Sequence, residues 1–152
     1  MATIKIKRLT PTAKIPSRAF VTDTGYDVYA DRLEFGLHNN QIIVHTGIAV
    51  QPEPGYYVEV YPRSSVAKKY AQLANSVGII DETYTGEIIL VFNGIPEHMS
   101  SDGVFYSKHF GISVGEKIAQ LIVRKRIDAD FIEVDELGWT PRGDGGFGST
   151  GK

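Results

Sequence analysis

An aspartate and a tyrosine stand where this sequence could do chemistry on a bound substrate. Asp81 directly follows the apolar run 77–80, and Tyr84 comes shortly after it, before a glycine turn. An acid at the end of a buried strand is either a turn former or a general base whose pKa is tuned by desolvation. A second carboxylate, Asp27, lies near another predicted turn. Taken segment by segment, turn formation is the more common role for such residues.

Polar side chains beside a predicted helix start favour the binding of an anion. Arg63, Ser64 and Ser65 follow a proline, and free backbone N–H groups at a helix N-terminus attract phosphate. The alternative is an ordinary serine cap beside a surface arginine. Gln120 interrupts the apolar run 118–123, and a buried amide needs hydrogen-bond partners from backbone, water or ligand. A glutamine facing outward from an alternating strand is the competing explanation.

The segment 139–152 is rich in glycine and carries groups that bind anions. Its G-x-G-x-x-G string matches the dinucleotide fingerprint, but only four residues follow, too few for the helix that this fingerprint requires. Consecutive glycines still allow backbone N–H groups to converge on an anion. A frayed terminus is the alternative, although Phe147 would gain nothing there without a flat partner to stack on. The candidate binding residues of the segment are Arg142, Phe147, Gly148, Ser149 and Thr150.

Composition excludes several kinds of partner. The 152 residues carry 16 Lys and Arg against 18 Asp and Glu, a net charge of −2 without a long like-charge block, so duplex nucleic acid is not expected. There is no cysteine to form a disulfide or a thiolate metal site, and the four histidines show no spacing typical of zinc. No apolar run approaches the roughly 20 residues that span a bilayer. We therefore expect a cytoplasmic protein that does not bind membranes.

Glycines and prolines fall at intervals between short apolar runs, a pattern typical of an all-β barrel or jelly roll. The predicted strands are 4–7, 42–44, 48–50, 56–61, 87–92, 117–123 and 131–134. A predicted turn at Thr46 and Gly47 separates the second strand from the third. One helix of two or three turns is predicted after Pro62, because Val66, Tyr70 and Leu73 recur at helical spacing.

Five segments, in their order and spacing, together resemble the five motifs of the homotrimeric dUTPase family. They are GYDVYA at 25–30, PRSSVA at 62–67, GIIDETYTGE at 78–87, GEKIAQL at 115–121 and RGDGGFGSTG at 142–151. The resemblance implies a jelly-roll-like β-barrel at 1–138 and an arm at 139–152 that closes over the nucleotide. It also implies a homotrimer with shared active sites and Mg²⁺-assisted hydrolysis of dUTP to dUMP and pyrophosphate, by attack of water on the α-phosphate.

The same resemblance assigns roles to individual residues. Asp81 would deprotonate the attacking water and meet the 3′-hydroxyl, and Tyr84 would pack beneath the deoxyribose and exclude a 2′-hydroxyl. The backbone near Asn75 and Gly78 would read the uracil edge, and Asp27 would hold a water molecule bound to the metal. The phosphate ligands would be Arg63, Ser64, Ser65 and Gln120, with Arg142, Gly148, Ser149 and Thr150 from the arm and Phe147 stacked on uracil.

The sequence departs from the family pattern in three places. Thr24 stands where Ala is usual, and Ser65 replaces a frequent Gly, which would change backbone access to phosphate. The segment 93–115 is longer than a hairpin loop needs, so residues 94–111 are interpreted as an insertion that reshapes a face or recruits a partner.

Two other functions fit part of the pattern. A dCTP deaminase would share the fold, but the glycine-rich arm with Phe147 favours the uracil enzyme. A regulatory nucleotide binder would keep the fold and signal through residues 94–111, although Asp81 and Tyr84 argue against loss of catalysis. Pyrophosphate release from dUTP and ammonia release from dCTP distinguish the two enzymes.

Overall fold

The computed structural model describes residues 2–36, 40–69, 71–94, 98–99, 105–106 and 111–147. These residues form antiparallel strands and one short 3₁₀ helix, Ser64–Lys68, which confirms the all-β prediction. The strands are β1 (Ile4–Arg8), β2 (Tyr26–Tyr29), β3 (Arg32–Phe35), β4 (Gln41–Pro52), β5 (Tyr56–Pro62), β6 (Ala71–Leu73), β7 (Gly78–Ile80), β8 (Glu87–Gly94), β9 (His98–Met99), β10 (Phe105–Tyr106) and β11 (Lys117–Lys125).

Two main sheets share one core. The first has the order β1-β4-β8-β6, with β3 also paired to β4, and the second has the order β2-β11-β5-β7. Alternate side chains of each strand point inward, so Val44 and Phe92 of the first sheet join Val58 and Ile118 of the second in a single buried cluster. The predicted insertion 94–111 lies mostly outside the described residues, which include only the short pair β9 and β10 within it.

The predicted turn between two strands at Thr46 and Gly47 is wrong. Residues 41–52 form the single strand β4, and its pairing with β8 shifts register between His45 and Ala49. Gly47 has φ +65°, a left-handed conformation that helps β4 accommodate two extra residues opposite β8. The strand therefore bends here and continues.

The predicted helix of two or three turns is also wrong in length. Only the 3₁₀ helix forms, and Leu73 belongs to β6, where it pairs with Phe92 of β8. Val66 and Leu73 are both buried, so their spacing reflects two elements that meet the same core. Tyr70 lies outside the described residues. No helix in the described part of the chain is long and apolar enough to cross a membrane.

The predicted strand 131–134 is not formed. After β11 ends at Lys125, the described residues 126–147 run without strand pairing. The large apolar side chains of this stretch are exposed, namely Ile127, Phe131, Ile132, Val134, Leu137 and Trp139. A strand needs a neighbouring strand to pair with, and none of the described residues pairs with this segment.

Candidate active site

Asp27 lies in a charged cluster at one end of the β2-β11-β5-β7 sheet. It is only 7% exposed, and its Oδ1 and Oδ2 accept hydrogen bonds from Arg63 Nε and Lys117 Nζ, each at 2.8 Å. The hydrogen bond and the charge of Asp27 raise the pKa of Lys117 above its usual value. Two cations thus face one carboxylate, an excess of positive charge that suits a phosphate ligand. The sequence analysis missed Lys117, because only the β2–β11 register brings it to Asp27.

Two serines follow this cluster in the 3₁₀ helix. Arg63 precedes the helix with an extended backbone, φ −77° and ψ 155°, and no side chain caps it. The Ser64 side chain is exposed. In the described part of the chain, the Ser65 hydroxyl is buried without a hydrogen-bond partner. Because buried hydroxyls are nearly always paired, Ser65 has a donor free for a ligand at this point.

Gln120 joins the same cluster from β11. It pairs in register with Asp27 on one side and Tyr61 on the other, and its Nε2 donates to Pro62 O at 3.3 Å. Gly25 makes this placement possible, because a Cβ at Gly25 would lie 2.2 Å from Gln120 Oε1. Three of the five predicted motifs, at 25–30, 62–67 and 115–121, therefore meet at this end of the sheet.

Asp81 and Tyr84 lie in the loop between β7 and β8. The Asp81 side chain is exposed, while its carbonyl accepts the Tyr84 N–H at 3.1 Å and closes a turn. The Tyr84 hydroxyl donates to Glu87 O at 2.9 Å. A Cβ at Gly86 would lie 2.6 Å from the Tyr84 hydroxyl oxygen, so glycine leaves room for the ring. Tyr84 is 46% exposed and presents a flat surface beside Asp81.

Glu82 anchors this loop to the neighbouring turn. Its Oε2 accepts the Gly55 N–H at 2.8 Å and a hydrogen bond from Arg126 Nη1 at 3.0 Å. These two donors hold the pKa of Glu82 below its usual value, Gly55 having the larger effect. The ionised carboxylate therefore stays bonded at neutral pH and fixes the backbone that carries Asp81. The sequence analysis did not identify this role, because Gly55 and Arg126 are distant in sequence.

Asn75 and Gly78 lie at the turn between β6 and β7. The Val77 N–H donates to Asn75 O at 2.6 Å, and Ser76 has φ +60°, which makes this a tight turn. β7 is the edge strand of its sheet, so part of its backbone is free to bond a ligand. An open groove lined by both residues and by apolar neighbours such as Ile80 runs beside the turn.

The described part of the arm is folded only on itself. Arg142 Nε donates to Gly145 O at 2.9 Å, and the Gly145 N–H returns a hydrogen bond to Arg142 O at 3.0 Å. The Phe147 side chain is fully exposed. Gly148, Ser149 and Thr150 lie outside the described residues, so their predicted roles stay predictions.

The two ends of the sheet are far apart within one chain. Gln120 of β11 pairs with Tyr61 of β5. On the other side of β5, Ile80 of β7 pairs with Val58, and Asp81 follows one residue further. With about 3.3 Å per residue along a strand and about 4.8 Å between strands, the Cα atoms of Gln120 and Asp81 are separated by roughly 16 Å. The two side chains therefore do not contact each other within one chain.

The described residues contain no group of three or more His, Asp or Glu side chains placed to bind a metal ion. Asp27, the predicted ligand of a metal-bound water, already pairs both oxygens with cations. A divalent ion at this end of the sheet would need further oxygen ligands from the substrate or from water.

Comparison with known proteins places the chain in a family. The dUTPase family model matches residues 11–151. A deoxyuridine 5′-triphosphate nucleotidohydrolase of Kluyveromyces lactis is 36% identical over 98% of this chain and 94% of its own length. The dUTPase of Staphylococcus bacteriophage 80alpha, solved with dUPNHPP, is 26% identical, with a TM-score of 0.80 and 99% coverage of both chains. The dUTPase of S. aureus phage phi11, solved as a mutant with a structural Mg(II) ion, is 23% identical, with a TM-score of 0.71, and covers 89% of this chain and 98% of its own. This chain belongs to the dUTPase family.

Proposed function

We propose that Asp81 is the general base with which this dUTPase hydrolyses dUTP to dUMP and pyrophosphate. Asp81 is exposed to solvent on a loop that Glu82 anchors through Gly55 and Arg126. This placement carries the proposal, because a general base must meet water and still hold a fixed position. Asp81 would take a proton as the water oxygen bonds to the α-phosphorus. The bond from that phosphorus to the bridging oxygen then breaks, and pyrophosphate leaves.

The Asp27 cluster would bind the phosphate chain. Arg63 and Lys117 supply positive charge, and the unpartnered Ser65 hydroxyl supplies a donor beside them. Gln120 is held at the same place by Pro62. Such fixed donors stabilise the charge that develops on phosphate oxygens during attack.

Tyr84 and the β6–β7 turn would recognise the nucleoside. The half-exposed Tyr84 ring lies beside Asp81 and would pack against the deoxyribose, where a 2′-hydroxyl would clash. The backbone at Asn75 and Gly78 would bond the uracil edge, since β7 is an edge strand. Phe147 would stack on the base when the arm closes.

We propose that each complete site forms between copies of the chain. The separation of roughly 16 Å between the Cα atoms of Gln120 and Asp81 supports a site in which one copy supplies the phosphate cluster and another supplies the base. The exposed apolar stretch 127–139 supports assembly, because such patches mark contact surfaces. β1 has a free edge and lies beside an apolar groove with Ile4 and Val123 on its walls. This groove is a suitable acceptor for the unpaired segment 131–134 of a neighbour.

The assembly is expected to be a homotrimer. Closed cyclic symmetry gives every copy the same two contacts and leaves no site incomplete. Light scattering should return a mass about three times 16.8 kDa. A stable monomer with full activity would contradict the shared site.

Magnesium would bind with the triphosphate rather than at a preformed protein site. Mg²⁺ is commonly held by one or two carboxylates, water and substrate phosphates. Both Asp27 oxygens are paired with cations, so contact through water fits this residue and direct coordination does not. When bound, the ion neutralises charge on the phosphates.

Replacing Gly25 with Ala should weaken dUTP binding at the phosphate end. The new Cβ would displace the Gln120 amide, which it would otherwise approach within 2.2 Å. We expect the KM for dUTP to rise by about tenfold, roughly the effect of losing one polar contact to a charged ligand. Thr24→Ala is the matched control, since Thr24 is the exposed neighbour. Equal KM values for both variants would remove Gln120 from substrate binding.

The assay for the proposed function measures pyrophosphate from dUTP and ammonia from dCTP with the same purified protein. We expect pyrophosphate from dUTP, no ammonia from dCTP, and loss of turnover when EDTA replaces Mg²⁺. Ammonia release without pyrophosphate would assign a deaminase instead.

A further inference from the structure

A set of contacts lies directly behind Tyr84 and has no part in the roles above. Glu87 is the first residue of β8, and its carbonyl accepts the Tyr84 hydroxyl at 2.9 Å. Its side chain points to β4, where Oε1 accepts the Gly47 N–H at 2.8 Å and Oε2 lies 2.9 Å from His45 Nδ1. Glu87 therefore links the tyrosine to the bulge in β4.

The bulge in β4 explains why the connection between Tyr84 and β4 uses the Glu87 side chain. Regular β4–β8 pairing is interrupted between His45 and Ala49. Across this gap the Thr46 hydroxyl donates to Ile88 O at 2.6 Å, and the Glu87 carboxylate takes the Gly47 N–H. Glu87 itself pairs in register with Ala49, so the start of β8 is held by this pairing together with the two side-chain bonds across the gap. We infer that the direction of the Glu87 carbonyl depends on both.

Charged groups on the two strands that border β4 flank His45. Its Nδ1 meets Glu87 of β8, and its Nε2 lies 3.4 Å from Glu34 Oε2 on β3. Arg32 pairs with Glu34 at 2.8 Å. His45 is 14% exposed, so its ring is confined between the two carboxylates. The Glu87 carboxylate is therefore held at both oxygens, Oε1 by Gly47 and Oε2 by His45.

We propose that Glu87, held by Gly47 and His45, is a positioning residue for Tyr84 and thereby sets discrimination against ribonucleotides. The inference rests on the proposed role of Tyr84 beneath the deoxyribose. To exclude a substrate with one additional hydroxyl group, the side chain beneath the sugar must hold its position to within about 1 Å. Tyr84 is half exposed, and its hydroxyl bond to Glu87 O ties the far end of the ring to the sheet.

The experiment compares kcat/KM for dUTP with kcat/KM for UTP in purified trimeric variants. Glu87→Ala should lower the dUTP preference by about tenfold, chiefly through better use of UTP. Glu87→Gln should restore most of the preference, because its amide oxygen still accepts the Gly47 N–H. Glu53→Gln is the matched control, since it removes one carboxylate from the turn after β4, and no hydrogen bond in the described part of the chain joins the Glu53 side chain to His45, Gly47 or Tyr84. This control should leave the preference unchanged.

Tyr84→Phe tests the same link without altering Glu87. Removing the hydroxyl should reduce the preference to the level of Glu87→Ala, and the double variant should fall no further. An unchanged preference in folded Glu87→Ala, or in Tyr84→Phe if the alanine variant does not fold, overturns the inference. Tyr84→Ala examines the proposed function separately. If Tyr84→Ala relaxes the preference while Glu87→Ala and Tyr84→Phe do not, the sugar contact stands and the positioning role of Glu87 fails. If Tyr84→Ala leaves the preference unchanged, the sugar contact itself fails.

Discussion

Asp81→Asn should lower kcat for dUTP by about a hundredfold or more while the protein still folds and binds nucleotide. Asparagine keeps the shape of the side chain and its hydrogen-bonding oxygen but has no basicity to accept the proton of water. The loop should keep its conformation, because its turn uses the Asp81 carbonyl and its anchor is Glu82. The loss is therefore expected in kcat with a small change in the affinity for a nonhydrolysable dUTP analogue.

Steady-state pyrophosphate release and calorimetric binding of such an analogue check this prediction. Asp23→Asn is the matched control, because it removes the same charge from the loop before β2, where the Asp23 side chain accepts the Phe20 N–H at 2.9 Å. The control should turn over at close to the parent rate. Comparable kcat values for Asp81→Asn and the parent would assign the base to another residue.

Ending the chain before Arg142 should reduce kcat severely and leave the barrel intact. In the single chain, Arg142 bonds Gly145 and Phe147 is fully exposed, so removal of the arm uncovers no core. Ordering the arm over a nucleotide costs about 1 to 2 kcal/mol per residue, which contacts to phosphate and stacking on uracil must offset. Without the arm, water exclusion and positioning of the terminal phosphate are lost together.

Three measurements separate this outcome from a general loss of stability. The truncated protein should keep the melting temperature and the light-scattering mass of the parent while its kcat falls. Phe147→Ala should have a milder effect, because it removes stacking and keeps the phosphate contacts of the arm. Turnover near the parent rate after truncation would show that residues 142–152 are a frayed terminus without a role in catalysis.

Sequence patterns predicted the strands 4–7, 56–61, 87–92 and 117–123, which are observed as β1, β5, β8 and β11. They did not predict β2, β3 or β6, nor how the strands pair. The runs 42–44 and 48–50 are both apolar, and Gly47 between them is equally compatible with a turn and with a bulge in one strand. Leu73 falls at helical spacing from Val66, yet it is buried by pairing with β8. The alternation at 131–134 is typical of a strand, but a strand forms only where another strand borders it, and none of the described residues pairs with this segment.

The same contrast between local pattern and strand pairing holds for the candidate site. Residues that we propose to touch the nucleotide were predicted by type and motif, as for Asp81, Tyr84 and Gln120. Residues that hold them were not, because Lys117 meets Asp27 only through the β2–β11 register and Glu87 meets Gly47 only across the bulge. Such contacts join positions far apart in sequence and leave no local pattern.

The central claim, a site shared between copies of the chain, is tested most directly by mixing two inactive variants. Asp81→Asn removes the proposed base and Arg63→Gln removes a proposed phosphate ligand, and these residues belong to opposite ends of the sheet. The two would be coexpressed with different tags, and mixed trimers purified on both. If the site is shared, a mixed trimer of either composition contains one site that takes its base from an Arg63→Gln copy and its phosphate ligand from an Asp81→Asn copy. Mixed trimers should therefore recover about one third of the parent kcat for dUTP. Activity no higher than that of the two separate variants would contradict the account and place the base and the phosphate ligand of each site in one chain.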